Sequence, residues 1–480
     1  MAFLFLQSLS FYIHDVLFQL IIFNKIFIMT NLKSFALLIA LIIFFDKTKA
    51  QTIIQRDAEI ENMINEVSKD SLRSYIHQLV NFNTRSTLSS ATDKTKGIGA
   101  ARNWILNKFK LYAQQSNGRM NTYIDTVTIQ ADSRRINRNI LLGNVMAVLK
   151  GSDSADKRIF IMSGHLDSRR TDVMDSTGFA PGANDDGSGV AAVIEAARIM
   201  SKHDFPATII LVAVSGEEQG LFGSEFLADK AAKNDLQIEA MLNNDIIGSN
   251  NSSGTNIINN TQLRVFSEPF SVLDTGKAFQ HIRSLGLEND GKSRQLARYI
   301  KEIGERYVDD LEIMMIYRSD RYLRGGDHIP FANKGFAAVR LTEMNENFNH
   351  QHQDVRTKND TAYGDLEEYM DFDYLKKNTE VNIATLANLA KAPAVPQNVS
   401  INVKDLTNFS SISWSASQFG NVKGYYILMR QTTSAVWQKK IFTTAYSINL
   451  PYSKDNYFFA VQSVSNDGNE SLPVMPLPVR

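Results

Sequence analysis

Hydrophobic residues recur at two different spacings along the chain, and these spacings separate predicted helices from predicted strands. From residue 58 to residue 82 apolar side chains recur every three or four positions, which predicts helix. Further helices are predicted around residues 99–114 and 189–200. Short apolar runs rich in β-branched residues predict strands buried on both faces at 139–149, 158–163 and 207–214. The alternation predicts a three-layer α/β/α sandwich around a mostly parallel central sheet.

The pattern changes at Ala392, where prolines open a stretch without helical spacing. Turn-rich segments there separate predicted strands at 411–414, 424–429 and 456–464, a spacing typical of a small all-β sandwich. Together with Trp414 and the Gly424-Tyr-Tyr strand, this region resembles a fibronectin type III module. We therefore expect a catalytic-size domain over residues 51–391 and a β-sandwich domain over residues 392–480, which offers a surface for a protein or polymer partner.

Composition narrows the chemistry. Lys and Arg together number 51, as do Asp and Glu, so the formal net charge is zero and no basic groove for nucleic acid is indicated. The chain has no cysteine, which excludes disulfides, thiolate nucleophiles and zinc sites built on cysteine. Any bound metal must be held by histidines and carboxylates.

The N-terminal 50 residues have the organisation of a leader. Lys33 precedes an apolar run over residues 35–45, and small Ala50 closes a short polar stretch, as in a secretory signal peptide. We expect translation from Met29, cleavage after Ala50, export, and no stable membrane insertion afterwards. The alternative is a membrane anchor, although the run is shorter than the roughly 20 residues that a span requires.

Three motifs follow predicted strands or precede a predicted helix, where open α/β sheets place their sites. His165 can bind a metal while Asp167 accepts its other ring N–H. Asp185 lies between glycines that permit a tight turn, so its carboxylate can bridge two cations. Glu217 and Glu218 suit a general base and a metal ligand. Singly, each motif is also compatible with an ordinary hydrogen-bonded pair, a capped turn or an acidic helix start.

Two further motifs complete the set. Asp245 ends an apolar stretch, and His350 and His352 lie far downstream, either of which can close the shell of a second metal. The combined residues supply a histidine and an aspartate to one metal and a glutamate and a histidine to the other, with a carboxylate between them. This set suits two zinc ions about 3.5–4 Å apart.

These motifs resemble those of zinc-dependent aminopeptidases of the leucyl aminopeptidase and aminopeptidase Y type, over roughly residues 75–390. The resemblance implies that one zinc is bound by His165 and Asp245 and the other by Glu218 and His350. It further implies that Asp185 bridges them, Asp167 orients His165 and Glu217 is the base. The following Asp354-Val355 departs from the family's Asp-Thr pair, which leaves His352 as a rival ligand.

A last segment, Gly326 to Phe331, resembles the family's Ser-Asp-His-x-Pro-Phe stretch with Gly in place of Ser. The resemblance places Asp327 and His328 in the substrate pocket.

The function expected from the resemblance is that of a secreted aminopeptidase. It would hydrolyse the N-terminal peptide bond of peptides by means of a zinc-bound water and Glu217. The alternatives are another dizinc exopeptidase, an enzyme of the glutaminyl cyclase type, and a catalytically silent binding protein.

Overall fold

The computed structural model describes residues 54–132 and 134–479, and the predicted leader lies outside them. The α-helices are α1 (Ala58–Asn65), α2 (Lys69–Val80), α3 (Gly97–Ala113), α4 (Gly187–Met200), α5 (Glu217–Gly220), α6 (Phe222–Lys233), α7 (Gly276–Ser284), α8 (Lys292–Tyr307), α9 (His328–Asn333) and α10 (Phe372–Lys391). The strands of the first sheet are β1 (Met120–Ile129), β2 (Ile140–Leu149), β3 (Arg158–His165), β4 (Thr208–Val214), β5 (Gln237–Asn244), β6 (Gln262–Ser267), β7 (Glu312–Ile316) and β8 (Ala338–Glu343).

These strands form one eight-stranded sheet in the order β1-β2-β4-β3-β5-β8-β6-β7. The central strands β4, β3, β5 and β8 are parallel. The sheet lies between two helical layers, with α1, α2, α3, α4, α8 and α10 on one face and α6 and α9 on the other. The predicted α/β/α sandwich with a mostly parallel sheet is confirmed.

Alternation along the central strands explains the three layers. In β3, Phe160 and Met162 belong to the larger hydrophobic core, whereas Ile161 between them belongs to the smaller core on the opposite face. Successive side chains of a strand point to opposite faces, so a continuous apolar run feeds both cores.

The predicted helix over residues 58–82 is two helices. Its apolar spacing persists, but the chain breaks at Ser68, whose side chain accepts a hydrogen bond from the N–H of Ser71 and caps α2. The region from residue 249 to residue 317, for which the sequence pattern predicted no helix or strand, contains β6, α7, α8 and β7.

The C-terminal strands are β11 (Gln397–Asn402), β12 (Ser410–Ser415), β13 (Val422–Gln431), β14 (Lys439–Thr443), β15 (Ser447–Leu450), β16 (Tyr457–Ser465) and β17 (Leu477–Val479), and a small hairpin, β9 (Arg356–Lys358) and β10 (Thr361–Tyr363), precedes α10. The C-terminal strands form a four-stranded and a three-stranded sheet that pack around Trp414 and Tyr425. A β-sandwich is therefore present.

Buried ion pairs join this sandwich to the first domain. Asp290 lies just before α8 and forms two ion pairs. Its Oδ1 lies 2.8 Å from Nη1 of Arg298, and its Oδ2 lies 2.7 Å from Nη2 of Arg430 in β13. Glu470 of the sandwich pairs with Arg306 of α8 at 3.0 Å. Among the described residues, none of the helices combines the length and hydropathy needed to cross a membrane.

Candidate metal centre

The candidate site forms where the parallel strands end. His165 is the last residue of β3, Glu217 begins α5 shortly after β4, and Asp245 directly follows β5. Asp185 lies in the loop that leads into α4. Because parallel strands end at the same edge of a sheet, residues distant in sequence meet there.

Asp185 is shared by two clusters of potential metal ligands. Its Oδ1 lies 3.1 Å from His165 Nε2, which is 3.8 Å from Asp245 Oδ1. Its Oδ2 lies 2.9 Å from His352 Nε2, which is 3.1 Å from Glu218 Oε1. Within each cluster the candidate ligand atoms lie within 4.8 Å of one another.

The donor chemistry of both clusters fits zinc. Imidazole nitrogen and carboxylate oxygen are ordinary zinc ligands, and a site without cysteine must use them. Asp185, Glu218 and Asp245 are all buried. Buried carboxylates at this density require compensating positive charge, which two divalent cations would provide.

The pKa values of these groups reflect the same crowding of charge. Burial raises the pKa of Asp185, but His352 and His165 outweigh burial and hold it well below its usual range. Burial lowers the pKa of His352, but Glu218 and Asp185 raise it to about 10. The carboxylates thus stabilise a positive charge on the imidazole rings that face them. A bound cation can supply that positive charge in place of a proton on the ring.

Of the two downstream histidines, the structure brings His352 to the cluster and leaves His350 outside it. The ring of His350 stacks on Tyr369 with centroids 3.7 Å apart and planes 9° apart. His352 has a left-handed backbone, with φ of 55°, which belongs to the tight turn from which its ring reaches Asp185. By geometry, therefore, His352 and not His350 lies with the candidate ligands, contrary to the preference for His350 taken from the sequence.

Asp167 does not orient His165 in the way predicted. His165 Nδ1 lies 3.0 Å from the main-chain oxygen of Asp167, not from its carboxylate. The carboxylate instead accepts main-chain N–H groups of Gly216 at 2.7 Å and Glu218 at 3.1 Å. The reason is that the first turn of α5 exposes unpaired N–H groups that a carboxylate satisfies well. Asp167 therefore fixes the turn that carries both glutamates.

Glu217 is the first residue of α5, directly before Glu218, and is partly exposed. Burial of its carboxyl group and the neighbouring Asp245 and Glu218 raise its pKa well above the usual range, against the opposing effect of His165.

Asp327 and His328 are both fully buried, at 0% exposure. His328 Nε2 donates to the main-chain oxygen of Ser319 at 2.8 Å, so that edge of the ring is used inside the protein. Burial raises the pKa of Asp327 to about 7. Because neither residue has exposed surface, the structure does not place them on the wall of an open pocket, as the resemblance implied.

Four supporting residues were missed by sequence reasoning, beginning with Arg340. It is fully buried, and its Nη2 lies 3.0 Å from Asp245 Oδ1. Gln351 donates from Nε2 to Asp185 Oδ2 at 3.3 Å. Arg340 lies within an otherwise apolar part of β8. A charged residue at such a position was the signal in the sequence that could have indicated a buried ion pair.

The other two tie the loops of the site together. Asp186 accepts the main-chain N–H of His165 at 2.8 Å and that of Gly189 at 2.9 Å, so it joins the end of β3 to the start of α4. Arg85 is fully buried and donates to the main-chain oxygens of Leu166, at 2.8 Å, and Gly182, at 2.7 Å. Both hold the loops that carry His165 and Asp185.

The fold and site define an α/β protein with a candidate two-metal centre at the carboxyl edge of its sheet. The model for peptidase family M28 matches residues 144–371. A probable zinc metalloprotease of Leptosphaeria maculans is 42% identical over 423 residues, which cover 88% of this chain and 97% of that protein. One from Pyricularia oryzae is 43% identical over 429 residues, covering 88% and 85%. The chain belongs to peptidase family M28.

Among solved structures, the LapA aminopeptidase of Legionella pneumophila is similar with a TM-score of 0.49 and 19% identity. The match covers 70% of this chain and 77% of that one.

Proposed function

We propose that this protein is a zinc metallopeptidase that uses two ions to remove residues from the N-terminus of peptides. The observation that carries the proposal is the position of Asp185, whose two oxygens face His165 and His352 at 3.1 and 2.9 Å. A shared carboxylate between two complete ligand clusters is the arrangement expected for a co-catalytic pair. The names of the relatives support zinc and proteolysis.

His165 and Asp245 would hold one ion, Glu218 and His352 the other, and Asp185 both. When bound, the ions would supply the Lewis acidity that polarises the scissile carbonyl and acidifies a water molecule.

Glu217 is the proposed general base. It would accept the proton of the attacking water on its carboxylate and deliver that proton to the nitrogen of the leaving amine. Asp167 supports this role because its carboxylate accepts the main-chain N–H groups of Glu217 and Glu218, at 3.3 and 3.1 Å. These hydrogen bonds fix the main chain of the turn that carries both glutamates.

The recess beside Asp185 is the proposed place for the free amine of the substrate's N-terminal residue. Ile246 contributes an apolar wall, and Glu343 and Asn347 contribute polar groups. The free amine of a peptide end would compensate the carboxylates at this position, and a blocked amine would not.

We also propose that the protein is exported, from translation at Met29 and cleavage after Ala50, and that the β-sandwich is a fibronectin type III-like module that contacts a surface or polymer. Mass spectrometry of the mature N-terminus of the secreted protein tests the first proposal. A mature chain that retains residues 29–50 would contradict it.

The catalytic proposal is tested with aminoacyl amidocoumarins and their N-acetylated forms. We expect cleavage of the free-amine substrates alone, and cleavage of the acetylated forms would refute N-terminal selectivity. Glu217→Gln should lower kcat by about 10²- to 10⁴-fold, the usual contribution of a general base, while zinc content stays at two ions per chain. Glu225→Gln, on the exposed face of α6, is the matched control and should leave kcat unchanged. A Glu217→Gln enzyme with full activity would remove Glu217 from the mechanism.

A further inference from the structure

The segment from residue 318 to residue 325, here called the rim segment, follows β7 and reaches the metal centre through side-chain contacts. Arg324 Nη1 donates to Gln351 Oε1 at 3.3 Å, and Gln351 in turn donates to Asp185 Oδ2 at 3.3 Å. Arg321 is fixed nearby by Glu346 at 2.8 Å. Gln351 therefore links the rim segment to the carboxylate of Asp185 that both ligand clusters share.

The same segment also borders the other side of the centre. The main-chain oxygen of Gly325 accepts a hydrogen bond from Arg340 at 3.0 Å, and Arg340 pairs with Asp245. A Cβ on Gly325 would lie 3.9 Å from Leu221 Cδ1, so this point adjoins the residue that follows α5. The rim segment thus lies alongside the elements that carry Glu217, Asp245 and Asp185.

The tip of the rim segment presents two large apolar side chains to solvent. Tyr322 is 77% exposed and Leu323 is 105% exposed. Leu323 also has a φ of 55°, a left-handed conformation that is unfavourable for a leucine. A single exposed apolar residue is ordinary, but an adjacent pair in a strained backbone beside a candidate active site favours a binding role.

The tip is held in place before any ligand binds. Arg318 Nη2 donates to the hydroxyl of Tyr322 at 2.6 Å, and the Arg318 guanidinium lies 3.9 Å from the centroid of the same ring. A ring fixed in this way loses little conformational freedom on contact with a partner.

We propose that the rim segment binds the residues of a peptide substrate that follow the cleaved bond, with apolar contacts from Tyr322 and Leu323. Arg324, exposed at the same edge, offers N–H groups to main-chain carbonyl oxygens of that peptide. This inference rests on the proposed function. Its consequence is a preference for longer peptides with apolar residues after the cleaved bond over single aminoacyl amides.

The test compares two substrates with the same N-terminal residue, chosen from the amidocoumarin panel. One is the aminoacyl amidocoumarin, and the other is a tetrapeptide whose last three residues are Leu-Phe-Leu. The measured quantity is kcat/KM for the tetrapeptide divided by kcat/KM for the amidocoumarin. The Tyr322→Ser, Leu323→Ser double variant should lower this ratio about tenfold, the usual effect of losing an apolar contact with substrate.

Leu406→Ser is the matched control, because Leu406 is 100% exposed on the β-sandwich, and it should leave the ratio unchanged. A rim variant with the wild-type ratio would overturn the inference and leave the proposed function intact. The inference is overturned in the same way if the ratio stays constant while the double variant changes the oligomeric state on a sizing column, since the tip would then contact a second copy. Failure of the wild-type enzyme to cleave either substrate would overturn the proposed function and the inference with it.

Discussion

Arg340 offers the sharpest test of how the negative charge of the candidate metal ligands is compensated. It is fully buried on β8, with Nη2 at 3.0 Å from Asp245 Oδ1 and Nη1 at 3.3 Å from Asp320 Oδ2. Arg340→Met keeps most of the side-chain length and removes the charge. Asp320 retains Arg321 at 3.2 Å, so Asp245 is the carboxylate left without its arginine.

The cost of this change should depend on zinc. Removing one partner of a buried ion pair costs about 3–5 kcal/mol because a charge remains uncompensated in the interior. We expect a loss of that size in the free energy of unfolding of the zinc-free protein. In the zinc-loaded protein a cation on Asp245 replaces the lost guanidinium, and the loss should fall to about half or less.

The assay is urea unfolding of the chelator-treated and zinc-loaded forms, for the wild type and each variant. Arg306→Met is the matched control, since Arg306 forms a buried pair with Glu470 at 3.0 Å beside the β-sandwich. Its cost should be the same with and without zinc. If Arg340→Met costs as much in the zinc-loaded protein as in the zinc-free one, Arg340 does not compensate a metal ligand and the reasoning fails.

Two other predictions concern the histidine ligand and the cap of α1. His352→Ala should lower the zinc content measured by mass spectrometry from two ions per chain to one, whereas His350→Ala should retain two, and the reverse result would restore His350 as ligand. The second prediction concerns Asp57, which caps α1 and whose Oδ2 lies 2.9 Å from Nζ of Lys391. Burial raises the pKa of Asp57, but Asn469 and Lys391 outweigh burial and lower it below 3.8. A lowered folded-state pKa contributes stability that is present above the unfolded pKa and is lost as pH falls through the folded pKa. Because Asn keeps the cap of α1 but removes the charge opposite Lys391, Asp57→Asn should lower the unfolding free energy at pH 7 and flatten its loss below about pH 4; an unchanged slope would contradict the assignment.

Local patterns predicted the central strands of the sheet but not β6 and β7 at one of its edges. The strands β3 and β4 contain continuous apolar runs, the signature of burial on both faces, and helix α4 is buried along almost its whole length. Helix α8 escaped prediction although it is long. Its buried face includes Arg294 and Arg298, whose charges are satisfied by Ser267 and by Asp290, and such partners are not visible in a local pattern.

Prediction of the site was limited by the same difference between local and tertiary signals. His165 and Asp245 meet because each stands at a strand end, which sequence can locate. The choice between His350 and His352 depends on the direction of a turn, which places the His350 ring on Tyr369 and the His352 ring beside Asp185. Similarly, the carboxylate of Asp167 had two possible partners, and only the position of α5 shows which one it takes.

The partners of the candidate ligands show why each motif is weak by itself. Each of the three carboxylates has a polar partner from another part of the chain: Arg340 for Asp245 at 3.0 Å, Gln351 for Asp185 at 3.3 Å and, as a longer ion pair, Arg169 for Glu218 at 3.8 Å. A donor on one carboxylate oxygen restricts the rotation of that group and limits which lone pairs can face a cation. Since these partners come from β8, from a turn beyond it and from the loop after β3, the geometry of the centre is a property of the assembled sheet. A substitution in any of these partners should therefore alter zinc binding without altering a predicted ligand.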